Sequence, residues 1–144
     1  MYRKILVALD HTRADDSLLP HVQEFARRFE SELVLLHVAD GWVARHYDSK
    51  LLQPAESEEM KDDRSYIEAA AARLAAAGVK ATPQLALGNP PTEILRVAER
   101  ERCDLIAMTS HGHRLLADIF LGSTIETVRH RTNIPILVVR AEQR

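Results

Sequence analysis

The chain is poor in the features that mark secreted, membrane and nucleic-acid-binding proteins. Its single cysteine, Cys103, excludes an internal disulfide and a cysteine-built zinc site, and suits a reducing cytoplasm. Aromatic residues are only 5% of the sequence, so the core must be aliphatic. Long hydrophobic runs are missing. After Met1-Tyr2-Arg3-Lys4, the apolar stretch Ile5 to Leu9 stops at Asp10, too short for a signal peptide, and no run approaches a membrane span. The formal net charge is −2, which supplies no field to draw in nucleic acid or anionic lipid. No Gly-Lys-Ser/Thr occurs, so there is no P-loop. Neither paired carboxylates nor a His-Asp-Ser spacing marks a hydrolase. No Glu or His cluster has metal-ligand spacing, so Mg²⁺ or Mn²⁺ would arrive on a ligand's phosphates.

What is present suits one α/β domain over residues 1–144, with 46% hydrophobic residues to fill one core. Ile5 to Leu9 and Leu33 to Val38 are continuous apolar runs, the pattern of strands covered on both faces. Between them Leu18, Val22, Phe25, Ala26 and Phe29 recur at helical spacing, with Thr12 and Asp15 spaced as a capping pair. Pro20 fits only a first helical turn, which places the regular helix from about Ser17. Residues Asp40 to Ser57 show no period and are expected to form a long connection with a short helix near 44–52. Met60 to Ala77 reads as an Ala-rich helix stopped by Gly78. Pro83 sends the strand Val79 to Leu87 to a sheet edge. Asn89-Pro90 starts a helix, Asp104 to Met108 is the fourth strand, and Ile134 to Val139 is the fifth. Alternating strands and helices predict a parallel sheet with right-handed crossovers. The charge runs Glu56 to Arg64 and Arg96 to Arg102 are expected to be solvated helix faces.

The most informative stretch runs from Leu105 to Ser123. An apolar run ends at Met108, a small polar turn (Thr109, Ser110, His111, Gly112) follows, and Gly122-Ser123 opens a helix. Strand, glycine-containing loop and helix N-terminus together present backbone N–H groups to phosphate. The same residues also suit a plain turn with Ser123 and Glu126 as a capping box. Asp10, Val38 and Thr109 all fall at carboxyl ends of strands, where parallel sheets bind ligands. Asp10 alone suits a helix cap equally well. His37 and His111 are read first as structural groups, and Cys103 as a small core residue.

With these residues the chain resembles the universal stress protein family. The resemblance spans the length: Lys4 to Asp10 at the start, Leu35-Leu-His-Val38 in strand two, and Asn133 to Val139 at the end. Its most specific part is the nucleotide signature Gly-x-x-Gly-x9-Gly-Ser/Thr. Gly112, the spacer His113 to Leu121, and Gly122-Ser123 match it; Thr109 stands where the first glycine would be. The resemblance implies a flavodoxin-like, five-stranded parallel sheet of order 3-2-1-4-5. It also implies ATP (or ADP or AMP) at the carboxyl ends of strands 1, 2 and 4, with Asp10 on the adenosine and Val38 on the adenine. Ala8 and Leu9 would lie beneath, and Met108 and Thr109 would line the floor. Gly112, His113, Gly122, Ser123 and Thr124 would surround ribose and phosphates, with charge from Arg114. Thr109 narrows that end and disfavours a positive φ there.

In that strand order Ile134 to Val139 is an edge, and an apolar edge needs cover. A homodimer pairing this strand with its copy supplies it, as the resemblance also implies; residues 141–144 folding back is the smaller alternative. The expected role is a dimeric, nucleotide-binding stress sensor with at most slow hydrolysis. A dimeric interaction protein of the same fold with no nucleotide is the alternative. An adenylating enzyme is disfavoured, because Asp10-His11-Thr12-Arg13 lacks the glycines such a loop uses.

Overall fold

Apolar side chains at successive positions of one strand must find cover on both sides of a sheet, and β1 (Lys4–Leu9) does so. Ile5, Val7 and Leu9 face one apolar cluster, while Leu6 and Ala8 face a second. A computed structural model describes residues 1–40, 58–110 and 124–142. In it β1 is followed by α1 (Asp15–Phe29), β2 (Glu32–Asp40), α2 (Glu58–Ala76), β3 (Ala81–Gly88) and α3 (Pro90–Arg100). Then come β4 (Leu105–Ser110), the helix α4 over 124–131, and β5 (Ile136–Arg140).

The five strands form one parallel sheet in the order β3-β2-β1-β4-β5, the order the resemblance implied. Residues of α1 and α2 (Leu18, Val22, Ile67, Leu74) fill the first cluster. Residues of α3 and α4 (Ile94, Val97, Val128) fill the second. The chain is thus a three-layer α/β structure with an aliphatic core. Each fully buried Leu, Ile or Val contributes roughly 1.5–3 kcal/mol.

Local signals account for most boundaries. Gly78 adopts φ +85°, and Val79 N–H donates to Leu74 O while Gly78 N–H donates to Ala75 O, which ends α2 as expected. Asn89 caps α3, its side chain accepting from Thr92 N–H, with Pro90 next. β3 lies on an edge, as Pro83 requires.

Five expectations are corrected. α1 begins at Asp15, not near Ser17, so Pro20 lies inside the helix, on its exposed side. The Thr12–Asp15 capping pair does not form: the N-cap position is Ala14 with no side-chain cap, and Asp15 reaches back to residues 10 and 11 instead. β4 extends through Thr109 and Ser110, which therefore belong to the strand and not to a turn. β2 likewise continues to Asp40, and β5 is shifted to Ile136–Arg140. The connection 41–57, its expected helix, and His111 lie outside the described residues.

Candidate functional site

Pleating sorts the strand ends into two sets. Ala8, Val38 and Met108 point to the α3/α4 side and join its apolar cluster; Ala8 and Val38 are part-exposed, while Met108 is buried. They make an apolar wall at the carboxyl edge of β1, β2 and β4. Leu9 is buried on the α1/α2 side. Asp10 follows β1, and Thr109 Oγ1 donates to its Oδ2 at 3.3 Å, tying the end of β1 to the end of β4. This is where the strand order reverses, the position at which open α/β sheets form a ligand crevice.

Thr109 is buried and has strand geometry; it is not among the residues with positive φ. The conformational objection to threonine at this position is thereby removed, and the narrowing by its side chain remains. Thr124, part-exposed, lies in the first described turn of α4, whose Val128 is buried against the same apolar cluster. Gly112, His113, Arg114, Gly122 and Ser123 lie outside the described residues, as does the serine of the Ser123–Glu126 capping box.

On the α1/α2 side stands a polar cluster that residue spacing did not bring together. Asp15, fully buried, accepts from Asp10 N–H at 2.9 Å through Oδ1, and from His11 N–H at 2.8 Å and Tyr66 O–H at 2.6 Å through Oδ2. Burial raises its carboxyl above the ordinary value, opposed by the Tyr66 hydrogen bond and the two backbone donors. Tyr66 is also raised, first by burial and then by its bond to Asp15, and stays a phenol. His11 sits at φ +59°, its Nδ1 2.6 Å from Asp63 Oδ1 and its ring stacked on Tyr66 at 4.0 Å. His37 Nδ1 lies 2.8 Å from Leu9 O, and its Nε2 lies 3.5 Å from the same Asp63 oxygen. His37 is thus engaged structurally, as read from sequence.

Asp63 corrects the reading of Glu56 to Arg64 as a wholly solvated face, since it is buried. Asp10 is not the α1 cap; its backbone N–H is instead held by Asp15. Sequence reasoning missed Asp15, Asp63, Tyr66 and His11 as one unit because they stand up to 55 positions apart. The residual signal was polar residues at i and i+3 of α2 (Asp63, Tyr66) on its inward face. His11 and Asp63 are at hydrogen-bonding distance, with no space for an ion between them, and among the described residues no group of three or more His, Cys, Asp or Glu could hold a metal. No described helix is long and apolar enough to cross a membrane.

A doubly wound parallel sheet of order β3-β2-β1-β4-β5 between two helical layers places the chain in the flavodoxin-like class of α/β proteins. The chain belongs to the universal stress protein family, whose model matches residues 1–140. It is similar to universal stress protein MJ0577 of Methanocaldococcus jannaschii, 32% identical over a 155-residue alignment that covers 97% of this chain and 96% of the relative. The solved structure of MJ0577 superposes with a TM-score of 0.83 at 31% identity, covering 100% of this chain and 99% of that one. Two more distant structures share the fold. One is a universal stress protein from Archaeoglobus fulgidus in complex with dAMP (TM-score 0.64, 21% identity, 96% and 98% covered). The other is a universal stress protein in complex with cAMP (TM-score 0.70, 18% identity, 98% of each covered).

Proposed function

We propose that this chain binds an adenine nucleotide, ATP or its products, at the carboxyl ends of β1, β2 and β4, and that a homodimer carries the bound state as a stress signal. The observation that carries the reading is the apolar wall of Ala8, Val38 and Met108 beside Asp10, at the switch point of the sheet. An adenine ring has the size and polarity such a wall accepts, with polar groups few and placed at its rim. Family members of the same fold bind dAMP and cAMP, which supports adenine as the recognised base. In this reading Asp10 contacts the adenosine, Val38 and Ala8 pack on the base with Leu9 beneath, and Met108 and Thr109 form the floor. Gly112, His113, Arg114, Gly122, Ser123 and Thr124 surround ribose and phosphates, and Mg²⁺ or Mn²⁺ enters on the phosphates.

Thr109 favours a second reading, a dimeric interaction protein that binds no nucleotide. Its hydroxyl already engages one oxygen of Asp10, and its side chain occupies space that a glycine would leave open.

Calorimetric titration of ATP, ADP and AMP into nucleotide-stripped protein, with and without Mg²⁺, separates the two. Binding at micromolar or lower concentration, lost in Gly122→Val, supports nucleotide recognition. No heat, and no rise of melting temperature in millimolar ATP, favours the second reading.

A further inference from the structure

One carboxylate oxygen on the α1/α2 side serves two histidines. Asp63 Oδ1, on α2, lies 2.6 Å from His11 Nδ1 in the β1–α1 turn and 3.5 Å from His37 Nε2 on β2. An ionised carboxylate only accepts, so His11 Nδ1 carries the hydrogen. The far side of His37 fixes its tautomer by the same logic. Its Nδ1 stands 2.8 Å from Leu9 O, a carbonyl that also only accepts, so Nδ1 carries the hydrogen there too. In the neutral ring Nε2 is then a bare lone pair facing a carboxylate oxygen. Two acceptors oppose each other at 3.5 Å, longer than a charge-assisted hydrogen bond. The pair is nearly out of solvent, with the His37 side chain 12% and the Asp63 side chain 10% exposed. One added proton on Nε2 removes the conflict: both ring N–H groups then meet an acceptor, and the buried charge of Asp63 is neutralised.

We propose that His11, His37 and Asp63 form a proton-operated latch, which fastens the N-terminal half of α2 to the ends of β1 and β2 when His37 takes up its second ring proton. Around the latch stand Asp15 of α1, turned to Tyr66 O–H and to the N–H groups of residues 10 and 11, and Tyr66 of α2, stacked on His11. Arg64 and Glu68 of α2 line a groove against Pro83, Gln84 and Leu85 of β3, and Leu85 is the β3 residue paired with His37. At the end of β1, Asp10 accepts from Thr109. Histidine is the side chain that ordinarily changes charge between pH 5 and 8, so the latch works across mild acidification. Its anchors at the strand end, Leu9 O and His11, flank Asp10, and closing it therefore stiffens the turn that carries the crevice carboxylate. The latch needs no bound nucleotide.

Nitrogen-15 shifts of the ring read the tautomer directly in wild-type protein. At pH 8.0 His37 should carry hydrogen on Nδ1 alone, and at pH 5.5 on both nitrogens. Hydrogen exchange reads the fastening. Protection factors of the α2 amides from Asp62 to Tyr66, corrected for the intrinsic rate at each pH, should be at least about fivefold higher at pH 5.5 than at pH 8.0. Asp15 also holds a proton more tightly in the folded protein and bonds Tyr66, so part of that ratio is its own. His37→Asn separates the two: it keeps an N–H for Leu9 O, cannot reach Asp63 and leaves Asp15 in place. It should cut the ratio at least about threefold. Asp63→Asn, which takes away the charge, should cut it by as much, and the double variant no further than either alone. A hydrogen on His37 Nε2 at pH 8.0, or a ring still neutral at pH 5.5, overturns the proposal in the wild-type protein itself. An unchanged ratio in His37→Asn also overturns it and assigns the whole dependence to Asp15. Additive losses in the double variant do the same, since His37 and Asp63 would then act apart.

Discussion

Asp15 holds the β1–α1 turn with three hydrogen bonds while fully out of contact with solvent. Asp15→Ala removes the acceptor that the N–H groups of Asp10 and His11 and the Tyr66 phenol share, which costs about 1–3 kcal/mol; urea unfolding at pH 7 measures it. Because burial raises this carboxyl in the folded protein, the native state holds the proton more tightly than the unfolded chain. Its contribution is therefore largest below the ordinary value of 3.8 and declines as pH rises through the raised one. The stability gap between wild type and Asp15→Asn should accordingly be wider at pH 4 than at pH 7. A gap that widens toward neutral pH contradicts this sign. Cys103 behaves differently: burial pushes its thiol up to about 11, so little thiolate forms at neutral pH. A thiol reagent at pH 7.5 should react in seconds in urea, and at least a hundredfold more slowly in the native protein. At this scale the sequence disclosed single properties but not partnerships. Cys103 is recognisable as core because it abuts an apolar strand. Asp63 is indistinguishable from its exposed neighbours until α2 is laid against the β1–α1 turn.

Among the elements, those with strong local chemistry are legible and those decided by tertiary contact are not. Gly78 and the Asn89-Pro90 pair announce the end of α2 and the start of α3, since backbone conformation there depends on those side chains alone. Thr109 and Ser110 look like turn residues, yet the ladder to β5 runs through both, ending with Ser110 opposite Arg140. α1 was misjudged through Pro20. A mid-helix proline removes one hydrogen bond and crowds the carbonyl four residues back, here that of Asp16, an exposed residue on the solvent side of the helix. The amphipathic face Leu18, Val22 and Ala26, buried against the sheet, outweighs that cost. Pro20→Ala should restore the bond without touching the core. The expected gain is about 1–2 kcal/mol, less than the intrinsic helix penalty of ~3 kcal/mol because proline also stiffens the unfolded chain. An unchanged or lower urea midpoint would show that the helix had already relaxed around the ring.

For the molecule as a whole, the sheet has two unlike edges. Leu33 N–H donates to Lys80 O, so alternation along the ladder turns the backbone of Ala81, Pro83, Leu85 and Leu87 outward. Pro83 thus blunts the β3 edge where it offers no N–H. On β5, Ile106 N–H donates to Pro135 O and Ala141 N–H to Ser110 O. Odd-numbered residues there face β4, and Ile136, Val138 and Arg140 turn their backbones outward. The last described residue, Glu142, turns toward α1, where its N–H donates to Ser17 Oγ. Val138 is also one of the exposed large apolar side chains. An outward backbone with an apolar side chain is a template for a second copy, which supports pairing through β5 in the proposed homodimer. Val138→Pro discriminates cleanly: it removes an outward N–H and cuts no bond between β4 and β5. Sedimentation at micromolar concentration should show a wild-type dimer and a largely monomeric variant, with far-ultraviolet circular dichroism retained. If the variant sediments as the wild-type dimer does, the two copies meet elsewhere; if wild type is itself monomeric, the β5 edge stays solvated and its apolar side chains are tolerated singly.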